Sequence, residues 1–389
     1  MKRRKSDMKR WIGILSAVAF VFSAGAHAQD TIKIGSLFET SGFLAFLGNQ
    51  GVEGANLAVE QLNAAGGVNG KQIELINFNT ESDETKAVIG AKKLIEIEKV
   101  VALIGAMNSG STFSIIDIVQ RAKLPIVSCG ASRAVSTPVE KKKWIFQAPL
   151  TDVLVIGVLI DHMKKKGISK IALINADSGF ATSGRKQWER IAPTRGIEIV
   201  IQQTYGNNDP DMTPQLTNIR ANKDVQAVVQ WGTGKGQYIV AKNYRQLGIK
   251  HPLYYSHAAS DPNLIKLGGD AANGIIFPTS KLAIVDELPD SDPQKEVTKI
   301  FVSDFKAKYG RGPATFAGNG YDAMMMLAAA IKRAGSTDSA KIRDAFEQTT
   351  DYPGVTSVYT YSAKDHFGAQ AVGVALHVIK DGKMRLYKD

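Results

Sequence analysis

The chain is poor in the residues from which catalytic and metal sites are usually built. It contains a single cysteine, Cys129, which excludes an intramolecular disulfide and a cysteine-based metal cluster. Its six histidines are scattered, and no two of them stand at the spacing of metal ligands. The chain also has no Gly-x-Ser-x-Gly, the motif that presents a hydrolase nucleophile. These absences predict a protein that is not an enzyme and needs no metal or cofactor.

Sequence features of nucleic-acid and nucleotide binding are also missing. Aromatic residues make up 8% of the chain, and no stripe alternates them with basic residues. The formal net charge is +11, but residues 1–28 carry six Lys/Arg and one acid, which leaves +6 for the rest. That excess is too small to indicate nucleic-acid binding. The glycine-rich segment 231–237 lacks the spacing of a phosphate loop, so we interpret it as a strand-to-helix turn.

Residues 1–28 have the organisation of a secretory signal peptide. A basic segment, MKRRKSDMKR, precedes a short apolar run over 11–22, and the small-x-small triplet Ala26-His27-Ala28 follows. The apolar run is too short for a permanent membrane anchor. Position 29 is Gln and not the Cys of a lipoprotein. We expect cleavage after Ala28 and a periplasmic protein.

The remaining residues alternate strand-like apolar runs with helical periodicity. This alternation extends from 31 to 130, breaks near 150, and restarts from 152 to 256. It predicts an α/β fold of two doubly wound parallel-sheet lobes. Long helices are expected at about 294–309, 315–334 and 338–348. The dipeptide Asp381-Gly382 predicts a hairpin near the C-terminus.

The segment IGAMNSGSTFSII, residues 104–116, joins a buried strand to a helix through small and polar residues. Asn108, Ser109, Gly110, Ser111 and Thr112 stand at the carboxyl end of the strand, where α/β sheets bind ligands. One interpretation is a helix cap made by Ser111 or Thr112. The other is an anion cradle, because the first N–H groups of a helix are unpaired and favour negative charge.

Several spaced motifs resemble the periplasmic binding proteins of the leucine/isoleucine/valine type, which serve ABC importers. Residues 36–83 carry Ser41-Gly42, the glycines Gly48, Gly51 and Gly54, and the turn Asn63-x-x-Gly66-Gly67-x-x-Gly70. Residues 313–335 resemble the late Gly-Tyr-Asp-Ala helix of the family. The likeness extends from about 31 to the C-terminus.

The resemblance implies two lobes joined by three crossovers, with a ligand cleft between them. The N-terminal lobe would comprise residues 30–148 and 278–350. The C-terminal lobe would comprise 149–277 and 351–389. We expect a monomer that delivers its ligand to an inner-membrane ABC permease and that binds no nucleic acid.

The resemblance also assigns the first wall of the cleft. The positions matching Ser109, Gly130 and Ser132 hold the carboxylate and amine of an amino acid in the family. Two neighbouring strand ends, Asn108–Thr112 and Cys129–Ser132, would therefore clamp one carboxylate. A helix cap and an anion-binding site use different hydrogen-bond donors. Both interpretations of residues 108–112 can therefore be true together. The predicted residues of this wall are Asn108, Ser109, Gly110, Gly130, Ala131 and Ser132.

The second wall departs from the family pattern. Leu47 and Phe180 stand where tyrosines are common, and His257 stands about where an acid pairs with the ligand ammonium. Thr233 completes the predicted site. A neutral histidine is a poor counter-charge for an ammonium. The hypothesis is a small organic acid, aromatic or aliphatic.

Several alternatives remain open at the sequence level. A shift in alignment would bring in Asp261 and favour a branched-chain or other neutral amino acid. A less favoured interpretation makes Phe180 an ordinary core residue and His257 a loop histidine. A periplasmic sensory receptor is the alternative of another class, and an exported Ser or His enzyme lacks a motif.

Overall fold

The computed structural model describes residues 31–388 and shows two α/β lobes; the signal peptide expected at 1–28 lies outside the described residues. The first sheet has five parallel strands in the order β2-β1-β3-β4-β5. Its strands are β1 (Ile32–Leu37), β2 (Ile73–Asn77), β3 (Ala102–Gly105), β4 (Ile126–Ser128) and β5 (Ile145–Gln147). Helices follow the first three strands: α1 (Ala45–Ala64), α2 (Glu84–Lys92) and α3 (Ser109–Ala122).

The second sheet restarts the same alternation after β5. Its helices are α4 (Asp152–Lys165), α5 (Gly179–Ile191), α6 (Thr213–Ala221), α7 (Lys235–Gln246) and α8 (Pro262–Gly268). Its first five strands are β6 (Lys170–Ala176), β7 (Glu198–Tyr205), β8 (Ala227–Trp231), β9 (Leu253–Tyr255) and β10 (Ile276–Ser280). These strands are parallel and stand in the order β10-β9-β8-β6-β7. The predicted α/β fold is therefore confirmed.

The chain then forms three further helices and returns to the second sheet. The helices are α9 (Lys295–Tyr309), α10 (Thr315–Ala334) and α11 (Ser339–Glu347). A two-stranded sheet follows, made of β11 (Tyr352–Pro353) and β12 (Val358–Tyr359). The antiparallel hairpin of β13 (Val374–Lys380) and β14 (Lys383–Leu386) ends the fold beside β10. Its turn is Asp381-Gly382, as predicted, and both residues have positive φ.

Glycines allow α1 and α10 to pack with their backbones in close approach. A Cβ on Gly54 would lie 1.9 Å from the carbonyl oxygen of Ala317. A Cβ on Gly320 would lie 2.1 Å from the carbonyl oxygen of Gly51. Glycines such as these weaken the helical pattern in the sequence. The periodicity therefore predicts a helix that starts near 52, whereas α1 begins at Ala45.

Two short elements were not predicted. β5 has only three residues and follows a run of lysines, so no periodicity marks it. α8 has seven residues and begins with a proline after an Asp cap, a pattern that also suits a loop. β5 completes the first sheet, and α8 follows β9 in the second lobe.

The C-terminal segment 351–389 divides between the two lobes in the structure. β13 and β14 extend the second sheet. Residues before them contact the first sheet instead. The hydroxyl of Tyr359 donates to the carbonyl of Ala148 at 2.6 Å, and that of Tyr361 donates to the carbonyl of Gln147 at 2.6 Å. The backbone N–H of Gln147 also donates to the carbonyl of His366 at 2.9 Å, so this segment is held at the edge of the first sheet.

Candidate functional site

A cavity of about 430 Å³ lies between the two sheets, at the carboxyl ends of their strands. Both lobes contribute to its wall. Seven of the ten residues predicted for the site line it: Leu47, Asn108, Ser109, Ala131, Phe180, Thr233 and His257. Its size and largely apolar wall suit a small organic molecule.

The N-terminus of α3 forms the first wall. Asn108 is the N-cap, and its side chain accepts a hydrogen bond of 2.8 Å from the N–H of Gly110. The Oγ of Ser109 accepts a hydrogen bond of 3.2 Å from the N–H of Ser132. Within residues 31–388, no acceptor is placed for the hydroxyl hydrogen of Ser109. Ser109 is buried and lines the cavity, so its hydroxyl is a candidate donor to a ligand.

Three predicted residues, Gly110, Gly130 and Ser132, do not line the cavity. The N–H of Gly130 donates to Ser128 Oγ at 3.0 Å. The hydroxyl of Ser132 donates to Ser183 Oγ at 2.5 Å and accepts from the N–H of Ala134. The polar groups that the sequence assigns to the ligand are therefore used inside the protein. Spacing along a strand end does not reveal which of its donors face inward.

Gly110 lies instead where the two lobes meet. A Cβ on it would lie 2.1 Å from Glu84 Oε1. On the opposite lobe, a Cβ on Gly179, the first residue of α5, would lie 3.0 Å from the Cα of Gly110. The hydroxyl of Ser183, which accepts from Ser132, donates to Asp152 Oδ2 at 2.8 Å. The lobes are therefore in contact on this side of the cavity.

A buried carboxyl group supports the first wall from behind. The two carboxylate oxygens of Glu39 accept hydrogen bonds of 3.2 Å from the backbone N–H groups of Met107 and Asn108. Burial raises the pKa of Glu39 to about 7, against the effect of these hydrogen bonds. Glu39 is fully buried and does not line the cavity, so it positions residues that do. No motif in the sequence marks Glu39 as a residue of the site.

Two aromatic rings, those of Phe180 and His257, belong to the second wall. The ring of Phe180 is buried and packs parallel to that of Trp231, with ring centroids 6.0 Å apart. His257 meets Phe180 edge to face at 5.5 Å. Phe180 therefore both belongs to the core and lines the cavity, which combines the two interpretations left open by the sequence.

His257 and Asp261 differ in their relation to the cavity. His257 lines it, and both its ring nitrogens lack a hydrogen-bond partner in the described chain. Burial lowers the pKa of His257 to about 4, so its ring is neutral near pH 7. Asp261 is buried outside the cavity wall, where it caps α8 by accepting from the N–H of Asn263 at 2.8 Å. The cavity wall therefore carries the neutral His257, and not Asp261, at this point.

Charge is unevenly distributed around the cavity. No Lys or Arg lines it within residues 31–388. Three acids do, namely Asp83, Glu84 and Asp177, and all three are exposed to solvent. The buried part of the wall is therefore uncharged, and its polar groups are hydroxyls, amides, a neutral imidazole and helix N-termini.

The sequence patterns did not predict the residues that β10 and α10 contribute to the cavity wall. Thr279 on β10 lines the cavity, as do Thr315, Phe316 and Asn319 on α10. A signal was present, because Asn319 is a polar residue within the predominantly apolar middle of α10, as is Asp322. Its place at the cavity follows from tertiary packing of α10 against α1 and the first sheet.

Two absences hold for the described part of the chain. No group of three or more His, Cys, Asp or Glu side chains is placed to hold a metal ion there. None of the helices between residues 31 and 388 is both long and apolar enough to cross a membrane.

Residues 31–383 match the family of periplasmic binding proteins. A curated relative is the leucine-, isoleucine-, valine-, threonine- and alanine-binding protein of Pseudomonas aeruginosa, which is 25% identical over 89% of this chain and 90% of its own. Leu/Ile/Val-binding protein homolog 7 of Brucella suis is 25% identical over 89% and 88% of the two chains.

Solved structures show the same fold. An extracellular ligand-binding receptor from Rhodopseudomonas palustris is 27% identical, with a TM-score of 0.85 over 92% of this chain and 100% of its own. The branched-chain amino acid transporter substrate binding protein of Streptococcus pneumoniae, solved with isoleucine, is 26% identical, with a TM-score of 0.80 over 91% and 98%. The present chain belongs to the periplasmic binding protein family, among its Leu/Ile/Val-type members, which bind solutes and catalyse no reaction.

Proposed function

We propose that the protein captures a small carboxylic acid between its lobes and delivers it to an ABC permease in the inner membrane. The observation that carries this proposal is the composition of the cavity wall. The N-termini of α3 and α5 open onto it from opposite lobes, and no buried acid lines it within the described chain.

Helix N-termini and hydroxyls suit a carboxylate because they supply N–H and O–H donors and a favourable dipole without a cation. Ser109 has an unused hydroxyl hydrogen at this point, and Asn108 and Ser178 cap the two helices. Phe180 and Phe316 line the same cavity with aromatic rings. These features favour an organic or aromatic acid.

A neutral amino acid is the second candidate, because two relatives are described as amino-acid-binding proteins. Its ammonium group would need a counter-charge to offset the loss of hydration. The acidic side chains that line the cavity are exposed to solvent, and the ring of His257 is neutral. The wall therefore favours an acid without an ammonium group.

A thermal-shift screen separates the two candidates. The panel contains aromatic acids, aliphatic acids and neutral amino acids. A ligand present at 100 times its Kd stabilises the protein by about 2.7 kcal/mol, which raises Tm by a few degrees. We expect shifts with acids and none with leucine or isoleucine. Shifts with the amino acids alone would contradict the proposal.

The Ser109→Ala variant tests the carboxylate contact. A hydrogen bond to a charged group contributes about 1.5–3 kcal/mol, so we expect affinity for the acid found in the screen to fall roughly ten-fold or more. Isothermal titration calorimetry measures it. Ser114→Ala is the matched control, because Ser114 lies on the same helix outside the cavity. If Ser109→Ala binds this acid as tightly as the wild type does, Ser109 does not contact the carboxylate.

A further inference from the structure

Three buried polar side chains line the cavity with no hydrogen-bond partner in the described chain. They are the Oδ1 of Asn319, the Oγ1 of Thr279 and both ring nitrogens of His257. Their residues are 5%, 0% and 8% exposed, respectively. Buried polar atoms in proteins are nearly always paired, so these atoms, which have almost no accessible surface, leave hydrogen-bonding capacity unused at the cavity wall.

These residues are neighbours although the sequence separates them widely. The turn that contains His257 packs against β10, which carries Thr279. The next residue of β10, Ser280, forms a hydrogen bond of 3.1 Å with Thr315 at the start of α10. Asn319 is four residues after Thr315 and so lies on the same helical face. We call His257, Thr279 and Asn319 the hinge-side subsite.

The hinge-side subsite is separate from the helix N-termini to which the carboxylate is assigned. It is built on β10, α10 and the turn after β9. Thr279 lies beside the crossover from the second lobe to α9, and Leu150, at the crossover from the first lobe, lines the same cavity. A ligand that contacts α3 and this subsite would therefore carry a second polar group.

The donors and acceptors of these three side chains indicate what the second polar group of the ligand is. The Oδ1 of Asn319 accepts, Thr279 both donates and accepts, and a neutral imidazole donates from one nitrogen and accepts at the other. A ligand hydroxyl donates once and accepts, so it can donate to Asn319 Oδ1 and accept from Thr279 or from the imidazole N–H. An ammonium only donates and brings an unpaired charge. A methyl group would leave all three side chains unsatisfied.

We infer that the hinge-side subsite binds an uncharged hydroxyl of the ligand, so that the protein selects hydroxy acids over unsubstituted acids. This inference rests on the proposed binding of a carboxylate and adds the second group that defines the ligand class. A site built to bond a hydroxyl rejects an analogue without it, because its own buried groups are then left unpaired.

Matched acids test the inference on the unmodified protein. Isothermal titration calorimetry compares hydroxybenzoates, with the hydroxyl at each ring position, with the corresponding methylbenzoates. Hydroxyhexanoates are compared with hexanoate in the same way. We expect at least one hydroxy acid to bind about ten-fold or more tightly than its matched analogue.

Two variants then locate the selectivity. Asn319→Leu and Thr279→Val replace a polar group by an apolar one of similar size. We expect each to reduce the ratio of hydroxy-acid to analogue affinity about ten-fold. Ser109→Ala is the control, because it should weaken both acids and leave their ratio unchanged. If Asn319→Leu does not fold, Thr279→Val and the wild-type comparison decide the question.

The outcomes separate this inference from the proposed function. Equal binding of hydroxy acids and their analogues by the wild type overturns the inference and leaves carboxylate capture standing. Selectivity that survives both variants overturns the assignment to the hinge-side subsite. Failure of every acid in the panel to bind overturns the proposed function, and the inference with it.

Discussion

Buried ionisable residues determine how the protein responds to pH. His377 on β13 is fully buried, stacks on Phe277, and bonds the carbonyl oxygen of Ala375 through Nδ1 at 2.9 Å. Burial lowers the pKa of His377 to about 4, from the ordinary value of 6.5. Between these two values the unfolded chain binds the proton and the folded protein does not. His377 therefore contributes stability above pH 6.5 that is lost as the pH falls towards 4.

The variant His377→Phe keeps an aromatic ring and removes this titration. Relative to the variant, we expect the wild type to lose roughly 3 kcal/mol of unfolding free energy between pH 7 and pH 4. Urea unfolding at both pH values measures it. The comparison is necessary because burial raises the pKa of Asp322 to about 6, which acts in the opposite direction over part of the range. A pH-independent difference would contradict the assignment to His377.

At the scale of elements, the contact between α1 and α10 shows how packing overrides propensity. Alanine is a better helix former than glycine by about 1 kcal/mol. At Gly54, however, the added methyl would meet the carbonyl oxygen of Ala317 at 1.9 Å, and the two backbones would have to separate. Overpacking of this kind costs about 1–3 kcal/mol, and more when backbone must move.

We therefore expect Gly54→Ala to lower the free energy of unfolding by about 2 kcal/mol, despite the gain in propensity. A lower urea midpoint with an unchanged slope would show it. Gly312→Ala is the control, because nothing lies within 4 Å of a Cβ there and its φ is not positive. We expect the control to unfold like the wild type. A stabilised Gly54→Ala variant would mean that the helices can separate without cost.

At the scale of the whole molecule, the contact between Gly110 and Gly179 joins the two lobes. A Cβ on Gly179 would lie 3.0 Å from the Cα of Gly110, closer than Cβ atoms usually come to a neighbour, so a larger side chain would push α5 away from α3. Ligand binding in a cleft stabilises the closed arrangement by its greater affinity for that state. Closure should therefore depend on the absence of a side chain at Gly179.

We expect Gly179→Val to hold the lobes apart and to weaken binding of the acid from the screen about ten-fold or more. Small-angle X-ray scattering with saturating ligand should give a larger radius of gyration for this variant than for the wild type. Gly157→Val on α4 is the control, because its nearest neighbour is the flexible side chain of Arg195. Wild-type radius and affinity in Gly179→Val would show that the contact does not limit closure.

The sequence by itself determined the two α/β lobes, the family and seven residues of the cavity wall. Hydrophobic periodicity and spaced motifs carry this information, because strand and helix faces repeat locally along the chain. Leu47, Ser109 and His257 were identifiable since each stands beside a recognisable strand end or motif.

Only the tertiary structure decided which polar residues line the cavity. Ser132 is occupied by Ser183 of the opposite lobe, while Asn319 and Thr279 reach the cavity through the packing of α10 and β10. The physical reason is that the pairing of a polar atom depends on neighbours far away in the chain. Local spacing places a residue at a strand end, but only the assembled lobes leave its hydrogen-bonding group paired or free.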